Sequence, residues 1–416
     1  SLLLPIIVFQ IEDALFRFSI DARENREEEK AVISTVLGFC CGQCVLFAVI
    51  FSIIQSNFKI MYGWYLLANL ISSVFSGAML QLSRGMGDNL TYALASFFNA
   101  VIAIILNIVF VLGFRMGAEG LFLTAVFANI VTIFIVCSRR KLYRMMDLRR
   151  FDGKLLKRML SYSIPLVPNY LSWWVVGASD RTVVSYFLGV QQNGFLSVAQ
   201  KFSTAYTNLY SIFNLTWTEN ASVHEQDTDM EAYYSSIIEK AFHLLVSGCM
   251  MMIAVMPFVF PWLVNAEFEA SYFQIPIYMI SSLLYSIVGI YSVVYVAKRK
   301  TKSIAKTSVI AAVVNLGTNL ILIHYIGLYA ASISSVLAYG TMLVLRWMDI
   351  RKIIRIHLQK RIILSACILL ILDVVVYYSG GLWMKGLNLF IVFGYSFFVN
   401  KDILRKLIFL AKTGRS

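Results

Sequence analysis

The sequence predicts an all-α polytopic membrane protein: a transmembrane helical bundle with two pseudo-symmetric six-helix lobes and two additional C-terminal helices. Three observations predict this class, namely the composition, a series of long apolar runs and the distribution of basic residues. Of the 416 residues, 59% are hydrophobic and only 14% are Asp, Glu, Lys or Arg, against roughly 25% in soluble domains. A soluble domain could not bury this much apolar surface, so a bilayer is the natural solvent.

Twelve apolar runs are long enough to span a bilayer, since a spanning helix needs about 20 largely apolar residues. A partial run covers 1–12, and the twelve full runs cover approximately 33–55, 60–82, 90–112, 118–138, 161–188, 194–217, 237–263, 273–297, 304–326, 329–349, 361–379 and 383–399. Strands of a membrane barrel would be about 10 residues long and would alternate in polarity. The runs in this chain are longer and do not alternate in polarity, so they are not barrel strands. We therefore expect helices, which satisfy the backbone hydrogen bonds of a membrane-spanning segment internally.

The basic residues lie mainly on one side of the predicted membrane. If the segment that follows residue 12 is cytoplasmic, the inner stretches hold 31 Lys or Arg residues, at approximately 13–32, 83–89, 139–160, 218–240, 298–306, 346–361 and 400–416. The opposite loops hold only Lys59, Arg115 and Lys385. Because Lys and Arg accumulate on the cytoplasmic side, topology explains the net charge of +13 without a nucleic-acid partner.

The two halves of the chain share weak internal similarity. Asn107 and Gly117 recur as Asn319 and Gly327, at offsets of 212 and 210 residues. Similar offsets and an even number of helices in each half indicate parallel repeats, as in other two-lobed transporters. The predicted domains are an N-lobe, a basic cytoplasmic linker, a C-lobe, two additional spans and a basic amphipathic tail on the inner surface, at 1–138, 139–160, 161–349, 350–399 and 400–416.

The start of the chain predicts an N-terminal truncation. Ser1 is not preceded by Met and lies inside an apolar run without the basic region of a signal peptide. The second lobe begins near Tyr162, so the repeat offset places the start of the first lobe about 50 residues before Ser1. We therefore expect one helix and part of the next to be missing from an intact protein of two six-helix lobes and two further spans.

Several short motifs, spread over nearly the whole chain, carry a family resemblance. They read LLLPIIVFQIEDA at 2–14 followed by RF at 17–18, YSIPLVP at 162–168, SDR at 179–181, AQKF at 199–202 and TWTENA at 216–221. In these motifs the chain resembles the polysaccharide biosynthesis family, the O-antigen and capsule repeat-unit flippases of the multidrug/oligosaccharidyl-lipid/polysaccharide exporter superfamily. The N-terminal truncation leaves the first mobile helix of that family unseen.

The resemblance implies both a mechanism and a location. It implies a central cavity between two six-helix lobes that opens alternately inward and outward. The implied cargo is a short oligosaccharide on undecaprenyl pyrophosphate, flipped to the outer leaflet of a bacterial cytoplasmic (inner) membrane for polymerisation or ligation. The implied partners are therefore the lipid-linked oligosaccharide, membrane lipid and polysaccharide polymerase or assembly proteins.

Three ionisable residues are predicted at membrane depth: Asp180, Arg181 and Lys201. Each cation lies seven residues from the outer end of its apolar run, which is about 10 Å at 1.5 Å per residue. Charges at this depth are costly and usually face a cavity or a partner. Two cations on consecutive helices suit an anionic pyrophosphate or an acidic sugar, so these three are the candidate substrate-binding residues. Alternatively, a cation pairs with Asp180 inside the lobe or snorkels to the outer surface.

Four residues are candidates for gating. Pro165 and Pro168 interrupt the beginning of the run at 161–188, and proline kinks a helix because it removes a backbone hydrogen bond. Glu12 and Glu219 stand at the cytoplasmic ends of their runs and could gate the path or couple an ion. The alternatives are a static kink for the prolines and solvated inner-surface charges for the acidic residues.

No motif for a metal, a cofactor or catalysis is evident in the sequence. The cluster Cys40, Cys41 and Cys44 lies in an apolar run without a nearby acidic residue or histidine, so we interpret these thiols as small buried hydrophobes. No phosphate-binding loop, dinucleotide motif or nucleophile elbow occurs, so the chain is not expected to be an enzyme. The open alternatives are a cation-coupled multidrug exporter of the same superfamily, a membrane polysaccharide polymerase or ligase, and a structural scaffold.

Overall fold

The computed structural model describes residues 3–142, 145, 147, 150–227, 229–356, 359–402 and 405. Within these ranges the chain folds into fifteen α-helices and contains no β-strand, so the predicted all-α class is confirmed. Each of the twelve predicted apolar runs is mainly helical, although the run at 161–188 is divided between two helices. The predicted amphipathic tail at 400–416 lies largely outside the described residues.

The fifteen helices of the described residues are numbered along the chain. In chain order they are α1 (Leu3–Ile7), α2 (Ile11–Asp21), α3 (Arg26–Phe58), α4 (Gly63–Gly85), α5 (Asn89–Asn107), α6 (Gly117–Arg140), α7 (Gly153–Ser163), α8 (Leu166–Leu188), α9 (Val190–Val223), α10 (Met230–Leu263), α11 (Ile275–Ala297), α12 (Thr301–Ile326), α13 (Tyr329–Ile350), α14 (Lys360–Ser379) and α15 (Leu382–Val399). A π-helical turn at Ile108–Gly113 extends α5, and a 3₁₀ segment at Ala266–Gln274 precedes α11.

Eight helical segments of the described part are long and apolar enough to cross a membrane, judged by length and composition. They are Arg26–Phe58, Gly63–Gly85, Asn89–Gly113, Gly117–Arg140, Met230–Leu263, Ala266–Ala297, Thr301–Ile326 and Leu382–Val399. The chain is therefore a multi-pass membrane protein. The helices α8, α9 and α13 are long enough but carry more polar side chains, and these three contribute to the cavity described below.

Two helix breaks differ from the predicted pattern. The predicted run at 161–188 is divided, because α7 ends at Ser163 and α8 begins at Leu166. Pro165 lies between them, where its missing N–H breaks no helical hydrogen bond. Near the N-terminus, Phe9 and Gln10 both have positive φ angles, of 51° and 52°, and they separate α1 from α2. Non-glycine residues rarely adopt this left-handed conformation, so this break is a strained one.

The helices cluster into two compact units, Ser1–Leu171 with Arg299–Ala305 and Ser172–Lys298 with Lys306–Ser416. In the first unit α6 packs against both α4 and α5, and in the second α11 packs against both α9 and α13. Asn129 of α6 donates hydrogen bonds to two serines of α4, at 3.1 and 3.2 Å. Asn315 of α12 bonds in a similar way to serines of α13. Both amides join helices across an interface, as polar side chains between membrane helices commonly do.

The contact between α9 and α11 depends on a glycine. Tyr210 of α9 lies over Gly289 of α11, and a methyl group placed on Gly289 would overlap the tyrosine hydroxyl. That tyrosine is buried and donates a hydrogen bond to Asn214 at 2.9 Å. The close approach of the two helices therefore requires the absence of a side chain at position 289.

Replacing Gly289 with alanine should destabilise the second unit. Overpacking a tight contact costs about 1–3 kcal/mol, and the gain in helix propensity of about 1 kcal/mol offsets only part of it. We expect a lower midpoint of thermal unfolding in detergent. The matched control is Gly317→Ala in α12, where a methyl group meets no atom within 4 Å. A Gly289→Ala protein that unfolds at the same temperature as this control would show that the contact is loose.

Candidate functional site

A polar cavity of about 290 Å³ lies inside the second unit. Two helices supply most of its polar side chains, each with a stripe at positions i, i+3, i+4 and i+7. The stripe of α9 is Gln200, Ser203, Thr204 and Thr207, and the stripe of α11 is Tyr278, Ser281, Ser282 and Tyr285. Positions at this spacing share one face of a helix. Since α9 and α11 pack against each other, the two stripes line the same cavity.

Asp180 lies at the buried side of this cavity and is only 2% exposed. Asn319 donates a hydrogen bond to its Oδ1 atom at 3.1 Å, and Ser335 donates one to its Oδ2 atom at 2.8 Å. Asp180 forms no ion pair within the part of the chain that the structure describes, so the predicted alternative of a pairing with Arg181 or Lys201 is not observed. Neutral donors therefore offset the cost of burying this carboxyl group.

Arg181 occupies the edge of the cavity and is exposed. Its Nε atom donates a hydrogen bond to Gln200 Oε1 at 3.0 Å. Arg181 also lines a second, open depression with Thr182, Ser185 and Asn193. The two terminal nitrogens of its guanidinium make no hydrogen bond to the described residues, so these nitrogens can bind a ligand.

Lys201 points away from the cavity that Arg181 lines, because it lies on a different face of α9 from Gln200. It follows Gln200 directly, and consecutive helical residues point about 100° apart. Lys201 is exposed and lines neither the cavity nor the open depression. The structure therefore brings two of the three predicted binding residues, Asp180 and Arg181, to one cavity and leaves Lys201 outside it.

Aromatic rings form one wall of the cavity. Tyr285 and Tyr339 line it with their ring centroids 5.6 Å apart. Trp173 packs behind both rings, edge-on to Tyr285 at 4.9 Å and stacked on Tyr339 at 5.5 Å. This packing explains why Trp173 lies within a span and not at a membrane boundary, where tryptophan is usually enriched.

The gating candidates of the first unit lie near one another. The Glu12 carboxyl group lies against Gly77 of α4, where a methyl group would overlap it. The neighbouring Asp13 accepts a hydrogen bond from the Tyr170 hydroxyl at 3.0 Å. Tyr170 follows Pro168 by two residues in the first turns of α8. The structure thus connects the acidic turn of α2 to the proline-containing segment, whereas Glu219 is half-buried near the end of α9 in the second unit.

Arg346 is a fully buried cation that the sequence interpretation placed in an inner loop. It lies inside α13 with 0% exposure and donates hydrogen bonds to Thr307 Oγ1 at 3.1 Å and Ser308 Oγ at 2.9 Å. It also donates to Ser292 and to the carbonyl oxygen of Val288. The guanidinium of Arg346 therefore links α11, α12 and α13.

The sequence interpretation also missed the polar stripes of α9 and α11. Their signal was present in the sequence, because each stripe interrupts an apolar run at helical spacing. What the sequence could not show is that the stripes face each other.

The described residues contain no group of three or more His, Cys, Asp or Glu side chains that could hold a metal ion.

Solved structures of other proteins share this fold. An outward-facing multidrug resistance MATE family transporter of the MOP superfamily has a TM-score of 0.69 at 18% identity, covering 84% of each chain. A MATE transporter in the bent conformation has a TM-score of 0.68 at 17% identity, covering 84% of this chain and 86% of that one. A MOP superfamily transporter from Pyrococcus furiosus has a TM-score of 0.66 at 17% identity, covering 84% and 85%. The fold is therefore that of two-lobed MOP superfamily transporters, as predicted.

Sequence comparison identifies the family. No curated protein shows significant similarity to the chain. The profile of the family described as polysaccharide biosynthesis protein matches residues 1–217, which is more than half of the 416 residues and includes Asp180, Arg181 and the α9 stripe. The chain is therefore a member of the polysaccharide biosynthesis protein family.

Proposed function

We propose that this chain flips a lipid-linked oligosaccharide from the inner to the outer leaflet of a bacterial cytoplasmic membrane by alternating access. The cargo is a repeat unit of O-antigen or capsule on undecaprenyl pyrophosphate. After release in the outer leaflet, polysaccharide polymerase or assembly proteins take it up. The family and the fold support transport, and the chemistry of the cavity supports this cargo.

The cavity of the second unit supports the proposal most directly. It combines the guanidinium of Arg181 with hydroxyl, amide and carboxyl side chains. Arginine offers a planar fork of donors that matches phosphate oxygens. Hydroxyl and amide groups both donate and accept hydrogen bonds, as the hydroxyl groups of a sugar require. An anionic, strongly polar cargo therefore fits this lining better than an apolar cation does.

The second candidate function is cation-coupled export of drugs. The multidrug transporters among the structures of similar fold and the buried carboxyl group of Asp180 favour it. A cationic drug would, however, meet the exposed guanidinium of Arg181 at the edge of the cavity. Asp180 is also engaged by Asn319 and Ser335. We therefore rank oligosaccharide transport above drug export.

Deletion of the gene in the native host should trap the lipid-linked repeat units on the inner leaflet. The measurement is the fraction of repeat units in spheroplasts that a membrane-impermeant lectin or oxidant can reach. We expect a small fraction in the deletion strain and restoration by the plasmid-borne gene. Accumulation of unpolymerised units on the outer leaflet would contradict a flippase and would indicate a polymerase.

A further inference from the structure

We propose that the cavity of the second unit is a saccharide subsite for the sugar residue joined directly to the diphosphate of the cargo, with Arg181 holding that diphosphate. This assignment rests on the proposed function. It also specifies which part of the cargo binds on each side of Arg181. The sugar occupies the cavity, the diphosphate lies on Arg181, and the lipid extends into the more open depression on the other side.

The size of the cavity favours a single sugar ring. Pockets for drug-sized ligands have volumes of about 300–1,000 Å³, and this cavity of about 290 Å³ is at the lower limit of that range. An entire oligosaccharide would not fit inside it. The remaining sugars therefore extend from the cavity, and the subsite reads the part of the cargo nearest to the lipid.

The lining has the chemistry of a carbohydrate site. The stripe of α9 contributes an amide and three hydroxyl groups, and the stripe of α11 contributes four hydroxyl groups. Each hydroxyl can donate one hydrogen bond and accept two, which matches the ring hydroxyls of a pyranose. Tyr285 and Tyr339 add aromatic surface, and an aromatic ring offers both a hydrophobic face for the C–H groups of a sugar and a polar hydroxyl.

Arg181 marks the boundary between the two sides. It lines the cavity on one side and the more open depression with Thr182, Ser185 and Asn193 on the other. Its Nε atom donates to Gln200 at 3.0 Å, which leaves the two terminal nitrogens for a ligand. A diphosphate on these nitrogens places its sugar in the cavity and its isoprenoid chain in the depression.

Gly177 provides a test that leaves the polar lining intact. It lines the cavity, and a methyl group placed on it meets no atom within 4 Å. A phenylalanine at position 177 therefore has room at its Cβ atom and places its ring beside the cavity. Gly317→Phe is the matched control, because Gly317 has equally open surroundings in the same unit but does not line the cavity.

The experiment measures binding of two lipids to the purified full chain in nanodiscs. One is undecaprenyl diphosphate, and the other is the lipid-linked oligosaccharide extracted from the native host. We expect wild type and Gly317→Phe to bind the oligosaccharide lipid at least about tenfold more tightly than undecaprenyl diphosphate, a difference of about 1.4 kcal/mol. Gly177→Phe should abolish this preference without changing the affinity for undecaprenyl diphosphate.

The possible outcomes separate the two proposals. If wild type binds both lipids but Gly177→Phe keeps the preference, the saccharide subsite is wrong and the proposed function stands. An equal loss of both affinities in Gly177→Phe would likewise overturn the subsite, because the diphosphate side should be unaffected. If wild type binds neither lipid, the proposed function fails together with the subsite.

Discussion

Replacing Arg181 with glutamine should reduce the export of glycan by about 10- to 100-fold, because a hydrogen bond to a charged group contributes about 1.5–3 kcal/mol. Glutamine removes the charge and the fork but retains a polar side chain of similar length. Arg181→Lys should give an intermediate value, since lysine keeps the charge as a point and loses the bidentate geometry. The measurement is surface glycan per cell at matched levels of membrane-inserted protein.

Lys201 supplies the control for this prediction. Lys201→Gln removes the same charge from the neighbouring helix, at a position that lines neither the cavity nor the open depression. We expect a much smaller decrease than for Arg181→Gln. If both variants lose export equally, a general loss of positive charge explains the effect. If Arg181→Gln exports normally, the guanidinium does not bind cargo.

Replacing Asp180 with leucine should destabilise the second unit by about 2–5 kcal/mol. The change leaves the Nδ2 donor of Asn319 and the hydroxyl of Ser335 without their acceptor. Each buried group that loses its partner costs about 1–3 kcal/mol. We expect a decrease in the midpoint of thermal unfolding in detergent and lower yields of folded protein.

Asp180→Asn should be much milder and serves as the matched variant. The new amide keeps one acceptor, and Asn319 has a buried Oδ1 atom without a hydrogen-bond partner among the described residues that could accept from it. The expected loss is about 1 kcal/mol, the value of one neutral hydrogen bond. Equal stability of the leucine variant and wild type would show that the network around Asp180 does not hold α8, α12 and α13 together.

The helices were predictable because the signal for each one lies within its own stretch of sequence. Each apolar run needs only its own length and composition to be identified as a helix, and the structure places helices at all twelve. The short helix α7 was missed, since it lies in a stretch interpreted as a basic linker. Its buried Leu155, Met159 and Tyr162 follow the spacing i, i+4, i+7 with Lys154, Lys157 and Arg158 on the exposed side. That amphipathic pattern was present in the sequence.

The site was predictable only in part, because a cavity depends on which helix faces meet. Asp180 and Arg181 stood out as charges within an apolar run, and both line the cavity. Lys201 had the same depth and charge but lies on another face of α9. Depth along a helix follows from counting residues, whereas the direction of a side chain depends on the packing of α9 against α11. For the same reason, the burial of Arg346 inside α13 was not evident from its position near a basic loop.

Transport by the purified chain in proteoliposomes tests the central claim most directly. Lipid-linked oligosaccharide is reconstituted with the full chain, and an impermeant lectin reports how fast oligosaccharide groups from the inner leaflet appear outside. We predict that wild-type vesicles expose these groups much faster than protein-free vesicles, and that Arg181→Gln vesicles approach the protein-free rate. Wild-type vesicles that match protein-free vesicles, while expelling a lipophilic cation against its gradient, would contradict oligosaccharide flipping and indicate a drug exporter.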